Sequence, residues 1–94
     1  MKYRSLGTTD IKISEIGFGT WGIGGMTPGA SSYGPTDDNV SCNALSSALD
    51  QGINFFETCY AYGNGHSEEL MGKIFSKQRN RVVIAEKVGL IKYG

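Results

Sequence analysis

An alternation of short apolar segments with amphipathic helical segments constrains the fold of this 94-residue chain more than any other feature. Residues 16–20, 53–57 and 82–88 have the aromatic and β-branched content of strands, and helical patterns separate them. Because these strands are too apolar to have a solvated face, they predict a parallel sheet covered by helices. The sequence therefore predicts an α/β fold, either a doubly wound open sheet or a (β/α)₈ barrel.

Two helices and an N-terminal hairpin complete the predicted order of elements. The first helix is predicted to begin after an N-cap at Thr36 and to end at Gly52, and Ser67 is predicted to cap the second helix. Residues 3–6 and 11–13 flank a Gly-Thr-Thr-Asp turn, which predicts a small β-hairpin. The predicted buried stripes are Val40, Ala44, Leu45, Ala48 and Leu49 in the first helix and Leu70, Met71, Ile74 and Phe75 in the second.

The ends of the three predicted strands are the expected place for a ligand. Residues 19–21, residues 57–63 and Lys87 lie at the carboxyl ends of the strands, where parallel α/β folds bind their ligands. Residues 21–36 form a long loop rich in Gly, Ser and Thr, and loops of that length are often functional. We therefore expect these segments to share one ligand-binding mouth.

Residues 17–22 match the pattern G-x-G-x-x-G of dinucleotide-binding sites. That fingerprint needs a helix that begins at the glycine turn, so that the helix N-terminus meets the pyrophosphate. Here a long loop separates Gly22 from Thr36, and Trp21 stands where a small residue should allow close approach. The context therefore argues against a Rossmann domain.

The net charge and the cysteine content indicate which binding partners and which cellular compartment to expect. Nine basic and nine acidic side chains cancel, which leaves no net field to attract nucleic acid or an anionic membrane. No segment approaches the roughly 20 apolar residues of a membrane span. Cys42 and Cys59 have no Cys or His neighbours at metal-ligand spacing, which indicates structural thiols in a reducing compartment and no metal. We therefore expect a cytoplasmic protein with small or uncharged partners.

Three motifs give the sequence a family resemblance. Residues 57–72 read ETCYAYGNGHSEELMG, residues 85–89 read AEKVG, and residues 17–21 read GFGTW. The chain resembles the aldo-keto reductase family, whose members typically carry Asp-Thr-Ala-x-x-Tyr-Gly after the second strand, a Ser-Glu helix start, and a Lys near the end of the third strand. Residues 32–38 are similar to bacterial members, and the resemblance covers the whole chain in order.

The resemblance implies a (β/α)₈ barrel that reduces an aldehyde or ketone with NADPH. Carried over by position, the catalytic residues are Tyr62 as general acid, Lys87 as its ammonium partner, and Glu57 in the place of the family's Asp. The implied cofactor-binding residues are Gly19, Thr20, Trp21 and Glu57. The chemistry needs such residues, because hydride transfer to a carbonyl leaves an oxygen that must receive a proton. An ammonium beside a tyrosine eases loss of the hydroxyl proton, and a carboxylate keeps the ammonium charged.

Two substitutions depart from the family pattern. Glu57 is one methylene longer than Asp, and misplacement on the order of 1 Å can lower a rate about a hundredfold. Glu86 stands where a threonine is common, and we expect it to point away from the mouth because neighbours on a strand alternate faces. A non-catalytic, cofactor-binding relative, comparable to the potassium-channel β subunits, is therefore a second hypothesis.

Length is the largest departure, because a complete barrel needs about 250 residues. We expect residues 1–94 to be the N-terminal fragment of a single barrel domain with about three of its eight strands. The family's catalytic His would then lie beyond Gly94, and His66 would only make hydrogen bonds at a helix start. We expect the isolated chain to be inactive, which makes an inactive truncated fragment a third hypothesis.

Overall fold

The computed structural model describes residues 1–25 and 35–88. Most of the loop predicted at residues 21–36 lies outside these ranges, as does Gly89 of the lysine motif. Within the described residues, no helix combines the length and the apolar character needed to cross a membrane.

A two-stranded hairpin precedes a three-stranded parallel sheet that carries two helices. The hairpin pairs β1 (Tyr3–Ser5) with β2 (Lys12–Ser14) antiparallel. The parallel sheet has the order β3-β4-β5. Its elements along the chain are β3 (Gly17–Gly19), α1 (Asp38–Asp50), β4 (Phe55–Cys59), α2 (His66–Phe75) and β5 (Val83–Lys87), with short 3₁₀ turns at Trp21–Ile23 and Arg79–Arg81. The predicted order of elements is confirmed.

The ends of α1 follow ordinary capping chemistry, with one correction. The N-cap is Asp37 and not Thr36, because the Asp37 carboxylate accepts hydrogen bonds from the backbone N–H groups of Asn39 at 2.8 Å and Val40 at 3.2 Å. At the other end Gly52 adopts a φ of 98°, and the amides of Gly52 and Ile53 bond back to the last turn of α1. This pattern is a Schellman motif, in which glycine has no steric penalty, so the predicted helix end is confirmed.

The core lies between the sheet and the two helices, and its centre is Phe56 on β4. The Phe56 ring centroid lies 4.6 Å from that of Phe75 on α2 and 5.8 Å from that of Phe18 on β3. Leu45 and Leu49 of α1 are buried in the same cluster. The other buried residues of this core are Ala48, Leu70, Met71 and Val82. The prediction for Val40 is wrong, since it is 65% exposed on the outer side of α1.

The side chains on the two faces of the sheet have different surroundings: one face packs on the helices, and the other is turned away from them. Phe56 on β4 faces the helices, so the next residue, Glu57, faces the opposite side. Strand β4 continues to Cys59, two residues beyond the predicted end, because Thr58 and Cys59 pair in register with Glu86 and Lys87 of β5. Glu57, Cys59 and Lys87 therefore share the face of the sheet that is turned away from the helices.

The hairpin closes the amino ends of the parallel strands. The Asn54 side chain, just before β4, accepts from the Ser14 amide at 2.7 Å and donates to the Lys12 carbonyl at 2.9 Å. The Tyr3 hydroxyl donates to the Gly52 carbonyl at 2.6 Å. The hairpin therefore binds the end of the sheet opposite to the carboxyl ends of its strands.

The aromatic centre of the core should dominate stability. Phe56→Leu removes the ring contacts with Phe18 and Phe75 and is expected to lower the free energy of unfolding by about 1–3 kcal/mol in urea denaturation. Val40→Ala, at an exposed site, should change it by less than about 0.5 kcal/mol. Equal losses in the two variants would show that Phe56 is not the centre of the core.

Candidate active site

Three side chains from different segments meet at the carboxyl ends of β4 and β5. The Lys87 Nζ donates a hydrogen bond to the Tyr62 hydroxyl at 2.6 Å, and that hydroxyl donates to the Glu57 Oε2 at 3.1 Å. The Lys87 Nζ also lies 3.6 Å from Glu57 Oε2 and 4.9 Å from the centroid of the Tyr62 ring. The structure therefore brings together the three residues that the sequence singled out for catalysis.

The electrostatics of this cluster keep the lysine charged. The hydrogen bond with Tyr62 raises the pKa of Lys87 above its ordinary value, desolvation opposes the shift, and the negative charge of Glu57 adds to it. The Lys87 and Glu57 side chains are 50% and 37% exposed, so the group is open to solvent on one side. The Tyr62 oxygen thus accepts a hydrogen bond from the Lys87 ammonium, and the Tyr62 hydroxyl donates one to the Glu57 carboxylate.

A tight loop holds Tyr62 above the strand ends. The Tyr62 amide donates to the Cys59 carbonyl at 3.1 Å, and the Gly65 amide donates to the Tyr60 carbonyl at 2.7 Å. Gly63 adopts a φ of 67°, and a Cβ placed on it would overlap the carbonyl oxygen of Gly24. The two backbones approach so closely that only glycine fits at this point of the loop. The position of Tyr62 therefore depends on a contact between the loops after β3 and β4.

Ser67 joins these loops from inside the protein, and here the sequence prediction is wrong. The N-cap of α2 is Gly65, with a φ of 95°, and Ser67 is the second residue of the helix. The Ser67 hydroxyl is fully buried and donates to the Thr20 carbonyl at 2.6 Å. The Thr20 amide in turn donates to the Glu57 carbonyl at 3.0 Å. The serine therefore links the ends of β3 and β4 to the start of α2 and caps nothing.

The residues predicted to bind a cofactor lie beside this cluster, with different exposures. Gly19 is exposed, and a Cβ placed on it would meet nothing within 4 Å. Thr20 is fully buried, and its Oγ1 has no hydrogen-bond partner among the described residues. Trp21 begins a 3₁₀ turn and is half-buried. The Glu57 Oε1 is buried and also lacks a partner in this part of the chain. Of these residues, Glu57 is the one in contact with Tyr62 and Lys87, so its unsatisfied oxygen belongs to the same cluster.

His66 makes a hydrogen bond at a helix start, as the sequence predicted. His66 is the first residue of α2, and its Nε2 lies 2.7 Å from the Asp38 Oδ1 at the start of α1. Cys42 and Cys59 are both unbonded thiols, and Cys59 is fully buried. His66 therefore links the starts of the two helices.

Glu86 points away from the mouth, as predicted from strand alternation, but its partner was not predicted. It lines a cavity on the helix side of the sheet with Glu68 of α2 and Thr58 of β4. A hydrogen bond with Glu68, then burial, then the negative charges of Glu68 and Glu57 raise the pKa of Glu86 to about 7. The sequence signal was available, because Glu68 follows the start of a helix whose buried face packs on β4, the strand next to β5.

Parallel strands covered by helices, with polar side chains that converge at the carboxyl ends, are the features of β/α-barrel enzymes. The chain belongs to the aldo/keto reductase family, since the model of that family matches residues 15–93. It is similar to aldo-keto reductase YhdN of Bacillus subtilis, at 42% identity over 92 residues, which cover 96% of this chain and 26% of that protein. It is also similar to the NADH-specific methylglyoxal reductase of Escherichia coli, at 38% identity over 97% of this chain and 27% of that protein.

A solved structure gives the same result for the fold. The aldo-keto reductase AKR11C1 from Bacillus halodurans matches 95% of this chain with a TM-score of 0.78 and 32% identity, and the match covers 26% of that structure. The predicted fold class, the N-terminal part of a (β/α)₈ barrel, is confirmed, and the Rossmann alternative is excluded. The chain spans about a quarter of the length of the relatives that it matches.

The close approach of the two loops can be tested with one methyl group. Gly63→Ala should lower the free energy of unfolding by about 1–3 kcal/mol, because the Cβ meets the Gly24 carbonyl and the positive φ strains alanine. Gly72→Ala is the matched control, since a Cβ there meets nothing within 4 Å. In the middle of α2 it should raise stability by up to about 1 kcal/mol. Urea denaturation that moved both variants in the same direction would contradict the proposed contact.

The raised pKa of Glu86 has a defined effect on stability. Since the pKa of about 7 in the folded chain exceeds the ordinary value of 4.5, the stability that protonated Glu86 contributes is fully present below the unfolded pKa and is lost as pH rises through about 7. The free energy of unfolding of the native chain, relative to that of Glu86→Gln, should therefore fall between about pH 4.5 and about pH 8. The measurement is the urea midpoint of both proteins across that range, in EDTA. Parallel curves for the two proteins would rule out the shift.

Proposed function

We propose that the complete protein reduces an aldehyde or ketone to an alcohol with a nicotinamide cofactor, and that Tyr62, Lys87 and Glu57 belong to its catalytic site. The observation that carries the proposal is the 2.6 Å hydrogen bond from Lys87 Nζ to the Tyr62 hydroxyl at the mouth of the parallel sheet. Membership of the aldo/keto reductase family supports the same chemistry. Residues 1–94 would form the first part of one barrel domain.

In this proposal Tyr62 acts as the general acid. The bound cofactor supplies the hydride for the carbonyl carbon, and negative charge then develops on the carbonyl oxygen. The Tyr62 hydroxyl donates its proton to that oxygen, and the Lys87 ammonium, 2.6 Å away, stabilises the phenolate that remains. The Glu57 carboxylate, 3.6 Å from Lys87 Nζ, keeps the ammonium charged and oriented.

The residues beside Tyr62 fit a nicotinamide nucleotide. The buried, unpartnered Glu57 Oε1 is an acceptor for a ribose hydroxyl or a carboxamide N–H, and the hydroxyl of Thr20 is a further polar atom without a partner in the described residues. Gly19 leaves room beside them, and Trp21 offers an aromatic surface. We propose NADPH as the cofactor on the family resemblance. NADH is the alternative, since the Escherichia coli relative is named NADH-specific.

The remaining expectations belong to the same proposal. The substrate would be a small carbonyl compound, and the balanced charge of the chain gives no reason to expect nucleic acid as a partner. A cytoplasmic location accords with this class of enzyme. We propose that the isolated 94-residue chain is inactive, because three strands enclose too little of a cofactor site.

A second candidate function is cofactor binding without catalysis, and Glu57 is the feature that favours it. Its Oε2 accepts the hydroxyl hydrogen of Tyr62 at 3.1 Å. That hydrogen is the one a carbonyl oxygen would need, so the carboxylate competes with the substrate. A shorter aspartate would keep the negative charge near Lys87 while it draws back from the tyrosine.

A chimaera tests the proposed catalytic role of Tyr62 within a complete barrel. Residues 1–88 of this chain replace the corresponding part of the Bacillus subtilis relative, and carbonyl-dependent oxidation of NADPH and NADH is followed at the absorbance of the reduced cofactor. Tyr62→Phe should lower kcat by about 10²–10⁴-fold, because it removes the general acid. Tyr60→Phe, which alters an exposed tyrosine of the same loop, should leave kcat within about twofold. An active Tyr62→Phe chimaera would refute the role of this tyrosine.

Glu57→Asp in the same chimaera separates the two candidate functions. If the parent chimaera binds NADPH but is inactive and Glu57→Asp restores turnover, the second candidate is correct. Substantial activity of the parent chimaera would eliminate the non-catalytic alternative. The isolated chain is expected neither to bind NADPH tightly nor to reduce a carbonyl. Fluorescence titration tests the first expectation, which an affinity for NADPH on the order of 1 μM would contradict.

A further inference from the structure

Ser67 carries two hydrogen-bond donors, and the two donors bind different segments of the mouth. It is the second residue of α2, so its backbone N–H belongs to the first turn and has no partner within the helix. That N–H donates to the Tyr62 carbonyl at 3.3 Å, and the Ser67 hydroxyl donates to the Thr20 carbonyl at 2.6 Å. One fully buried residue therefore ties the loop that carries Tyr62 to the end of β3.

These two bonds belong to a closed ring that begins and ends at Tyr62. Beyond the bond from Ser67 to Thr20, the Thr20 amide donates to the Glu57 carbonyl at 3.0 Å. The Tyr62 hydroxyl donates to the Glu57 carboxylate at 3.1 Å, which closes the ring. The position of the Tyr62 side chain relative to Glu57 therefore depends on both donors of Ser67.

The other printed bonds of the tyrosine loop make no such connection. The backbone N–H groups of Tyr62, Gly65 and His66 all donate to carbonyls within residues 59–63. They fold the segment onto itself and do not fix its position relative to β3. The Ser67 hydroxyl adds a directional bond between the two segments, and burial keeps water from competing for it.

We propose that Ser67 is a positioning residue that holds the Tyr62 hydroxyl within hydrogen-bonding distance of Lys87. Both donors of Ser67 are used by backbone carbonyls, so it acts on the reaction through the position of Tyr62. The Lys87 Nζ lies 2.6 Å from that hydroxyl, and a displacement on the order of 1 Å is enough to lower a rate about a hundredfold. The inference rests on the proposed role of Tyr62 as general acid, but its geometric part can be measured without turnover.

Two buried serines of this chain provide matched variants. Ser67→Ala removes the hydrogen bond to Thr20 and leaves a buried carbonyl without that donor. Ser14→Ala is the control, because the Ser14 hydroxyl is also buried and donates to the Ile16 carbonyl at the same distance, 2.6 Å. Ser14 lies in the hairpin at the opposite end of the sheet. Both variants should lower the urea midpoint, and only Ser67→Ala should change the mouth.

NMR spectroscopy of the 94-residue chain tests the geometry. Nuclear Overhauser contacts between the Tyr62 ring and the Lys87 methylene protons are expected in the native chain, because Lys87 Nζ lies 4.9 Å from the ring centroid. Ser67→Ala should weaken these contacts and the ring-current shift of the Lys87 ε-methylene protons, and Ser14→Ala should leave both unchanged. Full retention of the contacts in Ser67→Ala, or an equal loss in both variants, would overturn the proposal.

A second variant covers the case in which Ser67→Ala loses its dispersed spectrum. Ser67→Cys then replaces it, because a thiol occupies the same place and donates only weakly. The same loss of Tyr62–Lys87 contacts is expected, to a smaller extent. Native contacts in Ser67→Cys together with an unpaired thiol would count against the positioning role.

Kinetics of the chimaera test the consequence for the reaction. Ser67→Ala should lower kcat by about 10–100-fold and leave KM within about threefold, because a displaced general acid slows the chemical step more than it weakens binding. Ser14→Ala should leave kcat within about twofold. In a Tyr62→Phe background, Ser67→Ala should lower kcat no further, because the hydroxyl that it positions is absent. Additive losses in the double variant would show that Ser67 does not act through Tyr62.

The two measurements distinguish failure of this inference from failure of the proposed function. If Tyr62→Phe leaves the chimaera active, the proposed function fails, and the NMR contacts still decide whether Ser67 positions Tyr62. If Tyr62→Phe abolishes activity while Ser67→Ala retains the contacts and the kcat of the parent chimaera, the proposed function stands and the positioning role is refuted.

Discussion

The approach of two glycine backbones is the constraint on which the mouth of this protein depends. Gly24, after β3, and Gly63, after β4, leave no room for a Cβ between the two loops. The buried hydrogen bond from Ser67 to the Thr20 carbonyl fixes the same two segments from below. Together these contacts turn separate strand ends into one surface and place a tyrosine over it. The short reach of a Tyr62–Lys87 hydrogen bond requires that rigidity.

Much of the fold could be predicted from the sequence, because hydrophobic periodicity reports the faces of strands and helices directly. Helix ends were less predictable. Asp37 replaced Thr36 as the cap of α1, since both are good cap residues and only the backbone geometry chooses between them. Ser67 has the chemistry of a cap, yet a long-range contact with Thr20 uses its hydroxyl. Tertiary contacts of that kind leave no local pattern in the sequence.

The cluster of Tyr62, Lys87 and Glu57 was predictable as a set of residues but not as a geometry. Family motifs identified Tyr62, Lys87 and Glu57, and strand alternation placed Glu86 on the other face of β5. The sequence did not reveal that the longer Glu57 side chain reaches the tyrosine hydroxyl, because one methylene changes a hydrogen-bond partner without changing the motif. The Glu68–Glu86 pair was missed for a similar reason, as it joins residues 18 positions apart in the sequence across a helix and a strand.

The pairing register of β5 carries a consequence for how this chain tolerates change. Adjacent residues on that strand have opposite charge and opposite orientation, with Glu86 toward α2 and Lys87 toward the mouth. A shift by one position would exchange them, sending a carboxylate to the tyrosine and an ammonium into the helix layer. A point substitution at Glu86 or at Lys87 therefore alters only the face of the sheet on which that residue lies. An insertion or deletion that shifts the register of β5 would damage both at once.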